Sequence, residues 1–297
     1  MSMAMSGDRR ADNNAAGLRA DARRERLGLL GLSFPALFIV GLLVFIPVGW
    51  LFWLSLIDGG EISLAHYRRI ADATHFRIFY VTFEISVLVT VLALLLGYPL
   101  AYLMSQLPQR WAGVCMIFVL IPFWTSLLVR TYAWLVLLQR RGLVNQTLQD
   151  WGIIDAPLRL VHNYTGTVIG MLHIMLPFMI LTLQGVLENI DPNLISAAQN
   201  LGAKPSTSFR RIVLPLSMPG VAAGCVLVFM LGMNAYATPV LLGGSSFKMM
   251  SPILYSQISV ASNWPFGSAL AFILILVTLI ATLASTYLLS RQAQVLR

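Results

Sequence analysis

The sequence predicts an all-α integral membrane protein with six transmembrane helices, on three observations. Of its 297 residues, 58% are hydrophobic and only 11% charged, too little polar surface to cover a soluble domain of this length. Several apolar runs exceed the roughly 20 residues that a helix needs to cross a bilayer. The remaining charges, a formal net +8, collect in flanks and loops, as headgroup anchoring requires. No aromatic-interleaved basic groove accompanies them, so the expected surroundings are a lipid bilayer and not nucleic acid. Cys115 and Cys225 both fall in apolar runs, which suggests neither a disulfide framework nor a metal site.

Residues 1–26 are polar and carry Arg9, Arg10, Arg19, Arg23, Arg24 and Arg26. They read as a disordered cytoplasmic tail, with residues 27–297 as the membrane domain. The apolar run after the tail is longer than the ~7–15-residue core of a cleaved signal peptide, and it leads into an aromatic belt rather than a cleavage site. It becomes span one, residues 28–56, with the arginine cluster inside. The stretch Asp58 to Arg77 lies outside, with a short surface helix around His66-Tyr67-Arg68-Arg69-Ile70. Span two is expected at 78–105, followed by the turn Leu107-Pro108-Gln109-Arg110, and span three at 112–138. An outer loop, 139–163, leads to span four at 164–187. The loop 188–215 separates span four from span five, 216–242, and a second outer loop, 243–266, precedes span six, 267–290. Both termini then face the cytoplasm. Arg110, Lys204, Arg210, Arg211, Arg291 and Arg297 fall inside, whereas Arg68, Arg69, Arg77, Arg140, Arg141 and Arg159 fall outside. The orientation therefore rests mainly on the N-terminal cluster.

The polar, basic loop between spans four and five has its own structure. Asp191 suits a helix cap and Pro192 the first helical position. Leu194, Ala197, Ala198 and Leu201 follow at i, i+3, i+4 and i+7 and form one apolar stripe. Gly202 supplies the left-handed residue that ends the helix. Pro205 opens a second short helix, with Phe209, Ile212 and Val213 on its apolar side and Pro215 at its close. Small residues at Ala197, Ala198 and Gly202 let such an element lie in a groove of a partner protein. An ordinary amphipathic loop helix at the membrane surface fits the same pattern.

Polar residues within the spans are the candidates for a solute path. Glu84 lies near the outer end of span two, where it either lines a path, reaches the outer interface, or pairs with Arg77 or a partner subunit. His173 in span four reads as a helix–helix hydrogen-bonding residue. Asn234 and Tyr236 fall near the middle of span five, where Pro239 is expected to kink the helix and open a cavity; polar glue between helices is the other reading of Asn234. From Ile121 to Trp134 the chain carries Pro122 and Arg130 among Trp124, Tyr132 and Trp134. Aromatic faces attract cations, so this segment suits a path for an organic cation, or an interfacial belt with a snorkelling Arg130. No phosphate-cradling loop, zinc-protease signature, nucleophile elbow or Cys/His cluster occurs, so no catalytic residue and no metal ligand is named.

The string running from Ser196 through Ala197, Ala198, Gly202, Ile212 and Leu214 to Pro215 resembles the E-A-A loop of ABC importer permeases, with Ser196 where that family usually has Glu. The resemblance implies that this loop is the coupling helix that docks on an ATPase subunit. The segment Pro122-Phe123-Trp124-Thr125-Ser126, the following Arg-Thr-Tyr-Ala-Trp from Arg130, Leu96-Gly97-Tyr98-Pro99 and Asn263-Trp264-Pro265-Phe266-Gly267 are similar to the spermidine/putrescine-type (PotB-like) branch of these permeases. That likeness implies a type I importer fold in a bacterial inner membrane, a second homologous permease subunit, two cytoplasmic ATPase subunits holding ATP and magnesium, and a periplasmic solute-binding protein. It implies polyamines or a related small nitrogenous solute. The competing class, a secondary transporter driven by an ion gradient, predicts acid or histidine relays and inverted repeats. The expected spans offer Glu84 near an end, His173 and no convincing repeat.

Overall fold

The computed structural model describes Gly31, residues 34–244 and residues 247–295. The predicted tail, 1–26, lies outside the described residues. The chain divides into two units, Met1–Trp53 and Leu54–Arg297. The first contains most of α1 (Phe34–Ser55), a 22-residue apolar helix.

The second unit begins with a two-stranded ribbon, Ile57–Asp58 against Glu61–Ile62, turned by Gly59 and Gly60, both at positive φ. A left-handed pair at a two-residue hairpin is the geometry that glycine favours. The expected surface helix follows as α2 (Ala65–Ile70). His66 is buried beneath it and shares a hydrogen bond with the Ile57 carbonyl at 3.0 Å.

The core is three helices packed together, α3 (Ala73–Gln106), α7 (Tyr164–Leu187) and α10 (Leu214–Met233). Ile85, Val89 and Ala93 of α3 meet Met171, Met179 and Leu183 of α7 in one buried cluster. Lipid is as apolar as leucine, so hydrophobicity does not drive such helices together, and close van der Waals fit must. Met179 shows the fit: a Cβ added to Gly224 would sit 2.7 Å from its sulfur, and one added to Gly97 3.1 Å from its Cγ. Buried hydroxyls on α3 satisfy themselves along the helix. Thr82 donates to the Ile78 carbonyl, Ser86 to Thr82 and Thr90 to Ser86, at 2.6–2.8 Å. Thr82 Oγ1 also accepts the backbone N–H of Met250 at 2.9 Å, tying α3 to α11 (Met250–Tyr255). A second cluster, Met233, Met250, Phe266, Ala269 and Leu270, joins α10 and α11 to α12 (Trp264–Val295).

Helices α3, α7 and α12 overlap the stretches expected for spans two, four and six. Span three is not one helix. It is α4 (Gln109–Trp124) and α5 (Leu127–Leu138), and the chain turns by 98° between α4 and the segment Leu127–Asp150 that α5 opens. Thr125 and Ser126 are extended there, with ψ of 143° and 137°, and Thr125 Oγ1 donates to the Pro122 carbonyl, closing the end of α4 locally. Span five also ends early. Helix α10 stops at Met233, nine residues short of its expected end at 242, and Asn234 is its C-cap. Pro239 does not kink a continuous helix; it opens a separate π-helical turn, Pro239–Gly243, where its missing N–H costs little. Among the described residues, five helices are long and apolar enough to cross a membrane, or six if the bent pair is one span. The connecting segments 139–163 and 243–266 contain α6 (Leu143–Asp150), α11 and a π-helical turn, Ser256–Val260.

Candidate functional sites

At one end of the unit lies α8 (Pro192–Asn200). Its ends form as its residues dictate. Asp191 is the N-cap and its carboxylate accepts the Asn193 N–H at 2.9 Å, with Pro192 opening the helix. Gly202 adopts φ 86°, and its N–H donates to the Gln199 carbonyl at 2.9 Å while Ala203 N–H donates to Ala198 at 3.0 Å. Pro205 then opens α9 (Pro205–Ser208). The second helix does not close at Pro215. It runs through a π-helical turn, Phe209–Val213, directly into α10, and Pro215 falls in the first turn of that helix, a position proline tolerates.

The apolar stripe of α8 faces outward. Leu201 is 89% exposed and Leu194 46%, Ala197 is exposed and Ala198 half-buried. Ile195, outside the stripe, packs inward on the core. Ser196 is exposed and its hydroxyl donates to the Pro192 carbonyl at 3.2 Å, so its polar atom serves its own helix. Ile212 and Pro215 are half-buried and Leu214 is exposed. Behind α8 is a 470 Å³ cavity bounded by Met104, Gln109, Leu187, Glu188, Ile195 and Val213.

Phe209 pins this region to the bundle. Its ring stands edge-on to Tyr102 at 5.0 Å and to Tyr98 at 6.0 Å, and the Tyr98 hydroxyl pairs with Ser217 Oγ at 2.8 Å. Sequence reasoning assigned Phe209 an apolar side and missed its partners. Their signal was present: Tyr98 and Tyr102 are four apart, on one face of α3.

The solute-path candidates fall into separate groups. Glu84 is exposed on α3 and accepts a hydrogen bond from the Tyr164 hydroxyl at 3.1 Å. Tyr164 in turn meets the edge of Phe247 at 5.9 Å. Among the described residues, no cation lies within ion-pair distance of Glu84, so of the readings open to it the pairing with Arg77 is not made. Asn234 is not mid-helix: its amide donates to the Met230 carbonyl at 2.9 Å, and its own carbonyl accepts from Ser251 at 3.2 Å. Tyr236 stacks at a tilt on Tyr255, 4.8 Å between centroids. Both follow the end of α10 on the way to α11. Trp124 ends α4 and is 89% exposed, and Tyr132 lies exposed on α5 across the 98° bend. His173 packs against the Trp134 ring at 5.4 Å instead of serving as a hydrogen-bonding bridge. Arg130 is half-buried, with an Nε that has no partner. Tyr164, Phe247, Ser251 and Tyr255 were not foreseen, because only the fold sets them beside Glu84, Asn234 and Tyr236. Among the described residues, no group of three His, Cys, Asp or Glu side chains is placed to hold a metal ion.

Residues 59–294 match the family model of the binding-protein-dependent transport system inner membrane component. The chain belongs to that family. It is a permease subunit of an ABC importer, which sets aside the gradient-driven alternative. The spermidine/putrescine transport system permease protein PotB of Haemophilus influenzae is 35% identical over 210 residues, covering 71% of this chain and 73% of that protein. PotB of Escherichia coli K12 is 33% identical over 215 residues, 72% of this chain and 78% of its own. Among solved structures, a bacterial alginate ABC transporter in complex with an alginate pentasaccharide-bound periplasmic protein superposes with TM-score 0.74 at 18% identity, over 91% of this chain and 96% of that one. That likeness establishes the permease fold.

Proposed function

We propose that this permease moves polyamines of the spermidine/putrescine type, or a related small nitrogenous cation, into the cell, and that α8 is its coupling helix. The observation that carries the second part is the outward apolar face of α8. Leu194, Ala197 and Leu201 are held by capped ends on a short helix and stand exposed on the side away from the core. An ATPase groove is the partner that such a face fits. The PotB relatives support the solute class.

In this reading both termini and α8 face the cytoplasm. A second homologous permease completes the pathway, two ATPase subunits bind ATP and magnesium, and a loaded periplasmic binding protein docks at the opposite end. Closure of the ATPases pushes α8. Ser196, Ala197, Ala198 and Gly202 form the contact, and Phe209, Ile212, Leu214 and Pro215 carry the displacement into α10 without a flexible joint. Glu84, Trp124, Tyr132, Asn234 and Tyr236 line the path, where a carboxylate and aromatic faces offset the cost of moving a cation through the membrane.

The test is co-purification from the native membrane of wild type and Leu201→Asp. Leu201 is 89% exposed, so the fold should survive the substitution. Recovery of an ATPase and a second permease by wild type, with the ATPase lost from the variant, is the expected result. An ATPase held equally by both moves the coupling contact away from α8. Spermidine uptake in cells carrying only this system tests the solute, and no uptake would refute that half.

A further inference from the structure

At the end of the unit opposite α8, a 380 Å³ pocket lies between α5 and the segment that enters α7. Arg140, Arg159 and His162 line its polar side and Leu135, Leu160 and Val161 its apolar wall; no carboxylate lines it. Among the described residues, no Asp or Glu lies within 4.0 Å of either guanidinium.

The two arginines are distant in sequence, and a buried side chain sets them together. Asn145 has no exposed surface, and its amide donates to the carbonyls of Gln139 and Leu158, both at 3.0 Å, while its oxygen accepts the Leu158 N–H at 2.8 Å. Gln139 and Leu158 immediately precede Arg140 and Arg159, so one asparagine positions both. Asn163 then holds the Arg159 carbonyl through its amide. Its backbone N–H donates to Leu242 at 3.2 Å, and His162 is held beside Gly244 with φ 58°. The backbone that carries the three exposed cationic side chains is therefore fixed before any ligand arrives.

Exposed apolar side chains lie on the elements beside the pocket: Tyr132 and Val136 on α5, and Leu143, Trp151 and Ile153 on and just after α6, among the exposed charges Arg141, Asp150 and Asp155. Arginines next to an apolar wall, in a segment that also exposes a tryptophan, suit a membrane interface.

We propose that this pocket binds the phosphate of an anionic phospholipid in the outer leaflet of the membrane, with the acyl chains along the exposed face of α5. Phosphate oxygens take the guanidinium N–H groups of Arg140 and Arg159, and the glycerol lies on Leu135 and Leu160. The outer-leaflet placement rests on the proposed orientation in which α8 faces the cytoplasm, and the site is independent of the solute.

The test uses the full chain with whatever subunits co-purify, delipidated and titrated with phosphatidylglycerol or phosphatidylcholine, with bound lipid read by native mass spectrometry. Wild type should prefer phosphatidylglycerol, and the Arg140→Gln/Arg159→Gln double variant should lose about thirtyfold in that preference, from two cations near a membrane surface. Asn145→Ala should lose part of it with both charges present. A Lys248→Gln control, elsewhere on the same end, should leave it unchanged. Equal phosphatidylglycerol binding by wild type and double variant would overturn the proposal. So would unchanged lipid preference together with weakened docking of the purified binding protein, which would assign the arginines to that partner.

Discussion

Replacing Phe209 by alanine should uncouple ATP hydrolysis from transport. Phe209 is the residue through which the segment after α8 grips α3, with ring contacts at 5.0 Å to Tyr102 and 6.0 Å to Tyr98, both near perpendicular. An edge-to-face pair adds about 0.5–1.5 kcal/mol beyond the area it buries. The two pairs together hold the loop by about 1–3 kcal/mol, a factor of about 5 to 150 in the balance between held and released geometry. The ring is only half-buried, so truncation should spare the rest of the bundle. In reconstituted complexes, Phe209→Ala should assemble and hydrolyse ATP but carry at least about fivefold less solute per ATP. A double-mutant cycle with Tyr102→Leu should show an interaction of about 1 kcal/mol. Solute per ATP unchanged in Phe209→Ala, with additive effects in the cycle, would refute the idea that this contact transmits movement.

Glu84→Gln keeps an acceptor for the Tyr164 hydroxyl and removes only the charge. If a polyamine passes this carboxylate, the apparent affinity for uptake should fall about two- to fivefold, the worth of a solvent-accessible ion pair. Unchanged uptake and affinity would remove Glu84 from the path. Gly170→Ala places a Cβ 2.3 Å from Leu242 Cδ1 and 2.8 Å from Thr238 Cγ2, whereas Gly185→Ala on the same helix meets nothing within 4 Å. The helix-propensity gain of up to about 1 kcal/mol should therefore appear for Gly185→Ala, while overpacking of about 1–3 kcal/mol should reverse it for Gly170→Ala. Thermal unfolding of the solubilised protein reads both signs.

The sequence by itself determined that the chain is a membrane protein, roughly where its spans begin, and how α8 starts and stops. These are local properties. Apolar length alone makes a run long enough to span, and Asp191, Pro192 and Gly202 act on the backbone within two or three residues of themselves. The motif from Ser196 to Pro215 also carries the family likeness, because identities at fixed spacing are legible without knowledge of their neighbours in space. Only the tertiary structure decided the rest. A membrane helix is apolar on every side, so its periodicity does not say which face is buried. The break at Thr125 and the end of α10 at Asn234 occur inside runs that hydropathy reads as continuous. The stripe of α8 was legible as a stripe, but that it faces outward depends on Ile195 and Phe209 taking the inner side. Glu84 beside Tyr164 joins residues 80 positions apart, and Arg140 beside Arg159 depends on a buried asparagine between them. Such pairings are set when helices pack, since the energy that fixes them lies in contacts between segments and not within any one of them.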